Sequence, residues 1–248
     1  VVQNRLQSSN PPSTFQTWPG KTLEKFGDAY ADIEGDVWDD DMKSNYLEGP
    51  QTQAQLDGTY VTVPLNIHRI NNLFYNQNVL DDAGVDPSSM SSPSDVADAC
   101  ATVAEETDAV PFAQQTSGAW STVQLWETIL LAEGGISGYE EFITGEGDQA
   151  QVEAALQSVA DLSEYYPSDA SSLSFTEANT MVMDGNAAFI HQGDWAAGAY
   201  GGADDFNYGE QWGQVTYPGT EGSYLLNMDS FPYLANNPSP EATRTFLS

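Results

Sequence analysis

Short apolar runs alternate along the chain with stretches whose apolar residues recur every three or four positions. The two rhythms predict strands and helices in turn. Val61-Thr-Val-Pro-Leu65 is a strand-like run preceded by the turn-rich Leu56-Asp-Gly-Thr-Tyr60. Phe74 to Ala83 reads as a short helix stopped at Gly84, and Ser94 as the N-cap of a helix reaching about Thr107. Val110 to Gln114 follows as a strand. Trp120, Val123, Trp126 and Leu130 mark the apolar stripe of a helix from Ala119 to Glu133 that ends near Gly134-Gly135. The clearest amphipathic pattern runs from Gln149 to Tyr166, with Val152, Ala155, Leu156, Val159 and Leu162 on one face. Thr176 to Asp184 is a further helix closed by Gly185. Ala187 to Ile190 is a strand with Gly193-Asp-Trp195 on the loop after it, and Ser239-Pro240-Glu241 opens a last helix. This alternation predicts an α/β fold with mostly parallel sheets, which bind ligands at the carboxyl ends of their strands.

Charge changes the picture. The 248 residues hold 37 Asp and Glu against 6 Lys and Arg, a formal net charge of -31, while 40% are hydrophobic and 11% aromatic. That apolar and aromatic content supports folded cores, in one large domain or two smaller ones, and argues against disorder. No Lys or Arg lies between Arg69 and Arg244. Such a chain repels phosphate backbones and anionic lipid, which excludes nucleic-acid binding. Dispersed carboxylates at this density suit a protein bathed in molar salt, where the Debye length shrinks to about 3 Å. They point to a salt-loving host, a haloarchaeon. The lone Cys100 excludes an internal disulfide and shares a helical face with Val96 and Val103, as a buried thiol would. No apolar run approaches the roughly 18 residues of a membrane span. The chain opens at Val1 in mid-pattern and stops at Ser248 inside a helix, so we expect a fragment whose export signal and anchor lie upstream.

Four motifs stand in a distinctive order. Phe15-Gln-Thr-Trp18 precedes Pro19-Gly20. Pro64 to Asn71 runs into Leu73-Phe-Tyr-Asn76 and Leu80-Asp-Asp-Ala-Gly-Val85. Gly185 to Trp195 follows later, and Tyr217-Pro-Gly-Thr220 leads to Asp229-Ser-Phe231. In this order they resemble the extracellular solute-binding family that includes maltose- and glucose-binding components of ABC importers, most of all its glucose/mannose-type branch. The likeness covers about Pro11 to Ser248. It implies a periplasmic-binding-protein-like type II fold, truncated at both ends, with two lobes joined by hinge strands around a ligand cleft. Residues 1–70 would be the first part of lobe 1, 71–214 lobe 2, and 215–248 the return segment of lobe 1, with hinges near Asn71 and Gln214. The resemblance also carries sugar contacts onto Gln16, Trp18, Phe175, Trp195 and Asp229. The family's usual Trp is Phe at positions 74 and 175, and its Lys after Asp-Ser-Phe is missing from Ala235-Asn-Asn237.

The chemistry agrees with this list. Flat aromatics cover the C–H faces of a pyranose, while carboxylates and amides take its rim of hydroxyls. The resemblance implies a receptor for a mono- or small oligosaccharide, glucose-like, that is monomeric, extracellular and cell-surface anchored, and serves the membrane subunits of an ABC permease. The sequence itself shows no zinc-ligand spacing, and Trp38-Asp-Asp-Asp41 lacks the glycine and terminal Glu of a calcium loop, so no metal and no cofactor are expected. His68 and His191 read as structural histidines, and Asp194 as a cap or brace. The rival class is a secreted acidic glycoside hydrolase working through two carboxylates. No nucleophile motif supports it, so no catalytic residue is assigned.

Overall fold

The computed structural model describes residues 1–8 and 10–248. It divides into two compact units, Val1–His68 with Asn227–Ser248, and Arg69–Leu226. Unit 1 opens with helices α1 (Val2–Leu6), α2 (Asp40–Asn45) and α3 (Glu48–Gln53), followed by strands β1 (Gln55–Leu56), β2 (Thr59–Tyr60) and β3 (Thr62–Arg69). Unit 2 begins with β4 (Asn72–Asn76), α4 (Gln77–Ala83), α5 (Pro93–Glu106), β5 (Val110–Phe112) and α6 (Ala119–Thr144). It continues through α7 (Gln149–Ser163), α8 (Phe175–Met183), β6 (Ala187–Gln192), α9 (Ala196–Tyr200) and β7 (Trp212–Thr216). The chain returns to unit 1 with β8 (Leu226–Pro232) and α10 (Pro240–Leu247).

In unit 1, β3 pairs with β8. The acidic run Trp38–Asp41 is a helix start. Asp39 caps α2 by accepting from the Met42 N–H at 2.8 Å, while Trp38 turns inward, stacks on Tyr60 at 4.7 Å and donates from Nε1 to the Thr62 carbonyl at 2.9 Å. Scarce cations are spent on carboxylates here: Lys43 reaches Glu34 at 2.6 Å and Arg244 reaches Asp36 at 3.0 Å. Both pairs are exposed, so each contributes little.

Unit 2 is built on a four-stranded sheet in the order β5-β6-β4-β7. Adjacent residues on β4 point to opposite faces: Leu73 joins one hydrophobic cluster with Phe112, Leu125 and Tyr217, and Phe74 joins another with Ile190, Tyr200 and Trp212. The sheet is therefore covered on both sides, and every residue of β6 is buried. Its directions differ from the expectation of mostly parallel strands. Only β5 and β6 are parallel, whereas β4 runs antiparallel to both β6 and β7. The helical crossover that joins β5 to β6 permits a parallel pair; β4 and β7 are instead the strands by which the chain enters and leaves the sheet.

Several boundaries also move. The stretch from Phe74 to Ala83 is split, with Asn76 ending β4 and capping α4 through Val79 N–H. Ser92, not Ser94, caps α5, because Pro93 takes the first helical position. Helix α6 resumes beyond Gly135, whose φ of 64° marks a break. Just before this break, the Leu130 carbonyl accepts from Gln151 Nε2 of α7 at 3.1 Å. As expected, Val96, Cys100 and Val103 lie buried together.

Asn71, fully buried, ties the start of unit 2 to its end. Its Nδ2 donates to Thr220 Oγ1 at 3.0 Å and the Ser223 carbonyl at 3.1 Å, and its Oδ1 accepts from Leu225 N–H at 3.0 Å. Ile70 N–H reaches the Leu225 carbonyl at 2.8 Å. These bonds hold the chain after β7 within unit 2, whose boundary falls at Leu226–Asn227.

His191 sits in the middle of this sheet, fully enclosed. Its Nε2 pairs with Thr128 Oγ1 at 3.0 Å, the Ile70 carbonyl takes the other ring N–H, and burial pushes its pKa down to about 3. An unfolded histidine titrates near 6.5. The unfolded chain therefore binds a proton that the folded chain refuses, and stability held above about pH 6.5 drains as pH falls toward 3. Denaturant unfolding between about pH 6.5 and 5 should lose up to about 1.4 kcal/mol per pH unit from this group. His191→Gln should remove that share of the slope; an unchanged slope would contradict a neutral buried imidazole.

Candidate functional site

The carboxyl end of β6 delivers Gln192, Gly193, Asp194 and Trp195 in succession. Asp194 braces the turn against the entering strand. Its N–H donates to the Arg69 carbonyl at 2.9 Å, and its Oδ2 accepts from the Arg69 N–H at 3.1 Å. Trp195 Nε1 donates back to Gln192 Oε1 at 3.0 Å. The indole lies directly over Gly193, where a Cβ would fall 2.1 Å from ring atom Cζ3. The Gly-Asp-Trp sequence thus has a mechanical reading, with space from Gly, anchorage from Asp, and an aromatic face from Trp.

Two further rings extend that face. Trp120, in the first turn of α6, meets Trp195 at 6.1 Å and Phe175 at 6.3 Å, both edge-to-face. Phe175 opens α8 and is 46% exposed. Ser174 and Glu177 fix that helix start through a capping box. Below the rings, Trp195 and Tyr139 pack on Ile70, Leu131 and Leu225. Burial raises the carboxyl pKa of Glu127 on α6, and the charge of Glu127 joins burial in raising the Tyr139 phenol.

Of the residues singled out in sequence, the structure brings Phe175 and Trp195 together in unit 2 through Trp120, which sequence reasoning had read only as the start of an apolar stripe. It also places buried Gln114, Gln115 and Gln192 at the ends of β5 and β6. The paired amides follow the Val110–Phe112 run after Ala113, and no periodicity marks them as buried.

In unit 1, Thr17 and Ser230 exchange backbone hydrogen bonds of 2.9 and 2.8 Å, and Ser230 Oγ adds a third to the Thr17 carbonyl at 2.9 Å. Gln16 and Trp18 flank Thr17, and Asp229 precedes Ser230. The pleat therefore sets all three on the face opposite Thr17 and Ser230. Trp18 is 51% exposed, Gln16 is exposed and Asp229 is half-buried. Unit 1 thus presents an aromatic ring, an amide and a carboxylate side by side.

The chain belongs to the bacterial extracellular solute-binding protein family, whose profile it matches over residues 2–248. It is 42% identical over 249 residues to the xylose/arabinose-binding protein XacG of Haloferax volcanii, covering 98% of this chain and 53% of that protein. It is 32% identical over 252 residues to the uncharacterised ABC transporter extracellular-binding protein PH1214 of Pyrococcus horikoshii, covering 100% of this chain and 56% of that one. A structure solved in work on xylan utilisation by Caldanaerobius polysaccharolyticus shares the fold with a TM-score of 0.85 at 20% identity, over 99% of this chain and 65% of that one. The chain therefore spans little more than half the length of the curated relatives it matches. Among the described residues, no helix is long and apolar enough to cross a membrane.

Gly193→Ala tests the mechanical reading. The added methyl should force the Trp195 ring out of place, at a cost of about 1–3 kcal/mol, and change the near-ultraviolet dichroism of the folded protein. An unaltered spectrum and unfolding midpoint would contradict the close packing.

Proposed function

We propose that the protein is the solute-capturing receptor of an ABC importer and that its ligand is a neutral monosaccharide or short oligosaccharide. The observation that carries this reading is the Trp195–Trp120–Phe175 group at the end of β6. Partly exposed rings of this kind suit the apolar face of a pyranose and leave its hydroxyl rim to polar neighbours. Trp195 and Phe175 on unit 2, and Gln16, Trp18 and Asp229 on unit 1, are the proposed ligand contacts, and the two units the proposed lobes.

The 42% identical relative is named for xylose and arabinose, which favours an aldopentose over the glucose that the motif likeness suggested. Phosphorylated sugars are disfavoured, because Arg69 is the single Lys or Arg from Arg69 to Leu226. The receptor would work as a monomer at the cell surface, handing intact sugar to the permease subunits.

Calorimetric titration with xylose, arabinose, glucose, galactose and maltose tests the proposal. The expected result is saturable binding of one of the pentoses with a dissociation constant on the order of 1 μM, about -8 kcal/mol, and recovery of unchanged sugar. Preference for glucose would restore the motif-based assignment. Silence toward every sugar, or cleavage of any, would overturn the receptor reading.

The net charge of -31 also supports a molar-salt habitat. The unfolding midpoint should climb steadily as KCl rises from about 0.2 to about 2 M, where carboxylate repulsion is screened within a few ångströms. A flat response would exclude halophilic adaptation.

A further inference from the structure

Three buried glutamine side chains at the ends of β5 and β6 carry polar atoms that no protein group satisfies. Gln114 lacks a partner at both Oε1 and Nε2, Gln115 at Oε1, and Gln192 at Nε2, its Oε1 being taken by Trp195. All three residues are at most 2% exposed. They are neighbours by construction. The two strands are parallel with Phe112 opposite Phe189, so the segments that follow leave the sheet side by side. The Gln115 carbonyl accepts from Ser121 Oγ at 2.9 Å, which ties the segment after β5 to the first turn of α6, where Trp120 sits.

A buried polar atom left unpaired costs about 1–3 kcal/mol. Packing alone gives no reason to bear that cost, because an apolar side chain of similar size would avoid it. Ligand chemistry does give one. A primary amide offers an acceptor and a donor side by side, and a sugar hydroxyl both donates and accepts. The free amide of Gln114 therefore complements two adjacent hydroxyls, one on each of its atoms. A carboxylate there could only accept, and an ammonium could only donate.

We propose that Gln114, Gln115 and Gln192 are the hydroxyl-reading groups of unit 2, and that Gln114 selects an uncharged sugar presenting a vicinal diol. This rests on the receptor reading above and adds to it the polar half of recognition. A site built around unpaired amides discriminates most strongly against an analogue missing the matching hydroxyl, because the amide then stays unpaired in the complex. The same atoms are closed to solvent without ligand, so ligand binding must displace whatever covers them, and equilibrium affinities are the proper readout.

The test titrates the wild-type protein and Gln114→Leu with the sugar that the wild type binds and with its monodeoxy series. The wild type should bind the parent sugar and lose about 10–100-fold in affinity for at least one monodeoxy derivative. Gln114→Leu should weaken the parent sugar by a similar factor, no longer distinguish it from that derivative, and unfold no more easily than wild type when unliganded. Undiminished sugar binding by Gln114→Leu would overturn this inference while leaving the receptor reading intact. So would a less stable unliganded variant together with a flat monodeoxy series, which would mark the amides as structural. Should the variant fail to fold, the monodeoxy series on wild type decides alone. If the wild type binds no sugar at all, the receptor reading fails and takes this inference with it.

Discussion

The indole of Trp195 lies so close over Gly193 that any side chain at that position would collide with it. Much of the candidate surface of unit 2 follows from this contact. With its ring held down, Trp195 can donate to Gln192 and receive the edge of Trp120, which in turn reaches Phe175. The turn that makes the contact possible is held from the other side by Asp194, paired through its backbone and carboxylate to Arg69. Arg69 belongs to the same short stretch as Asn71, whose buried amide gathers Thr220, Ser223 and Leu225. A single chain of hydrogen bonds thus links the entry of unit 2, its last residues and the aromatic face.

Charge acts on a different scale. The surface carboxylates are dispersed and few of them meet a cation, whereas the polar groups at the strand ends of unit 2 are neutral. His191 is held neutral by burial, and the groups left unpaired at the strand ends are amides. The proposed capture of an uncharged sugar would fit such a neutral centre inside a highly acidic shell.

Much of this was legible in the sequence. The alternation of runs and stripes predicted α5, α7, α8, β5, β6 and the first part of α6, but it drew the end of β4 into a helix and gave no strand pattern for β7. Strand direction was not legible: periodicity does not say whether Asn72–Asn76 runs with or against Ala187–Gln192, and tertiary pairing made it antiparallel. The Phe74–Ala83 stretch was misread because strand and helix abut at Asn76, with no glycine or proline between them to mark the join. Among the site residues, Phe175 and Trp195 came from the motif likeness. Trp120 was visible only as one apolar position in a helical stripe, and nothing in the period separates a ring facing the core from one facing a site. The burial of Gln114 and Gln115 was not legible either: Gln114 closed the expected strand from Val110, and nothing in the period says whether an amide at a strand end is enclosed.

A crystal structure of the protein loaded with its sugar would test the central claim most directly. The expected result is a pyranose or furanose with a C–H face against the ring of Trp195 or Trp120 and hydroxyls within hydrogen-bond reach of the strand-end glutamines. A sugar bound away from Trp120, Phe175 and Trp195 would contradict it.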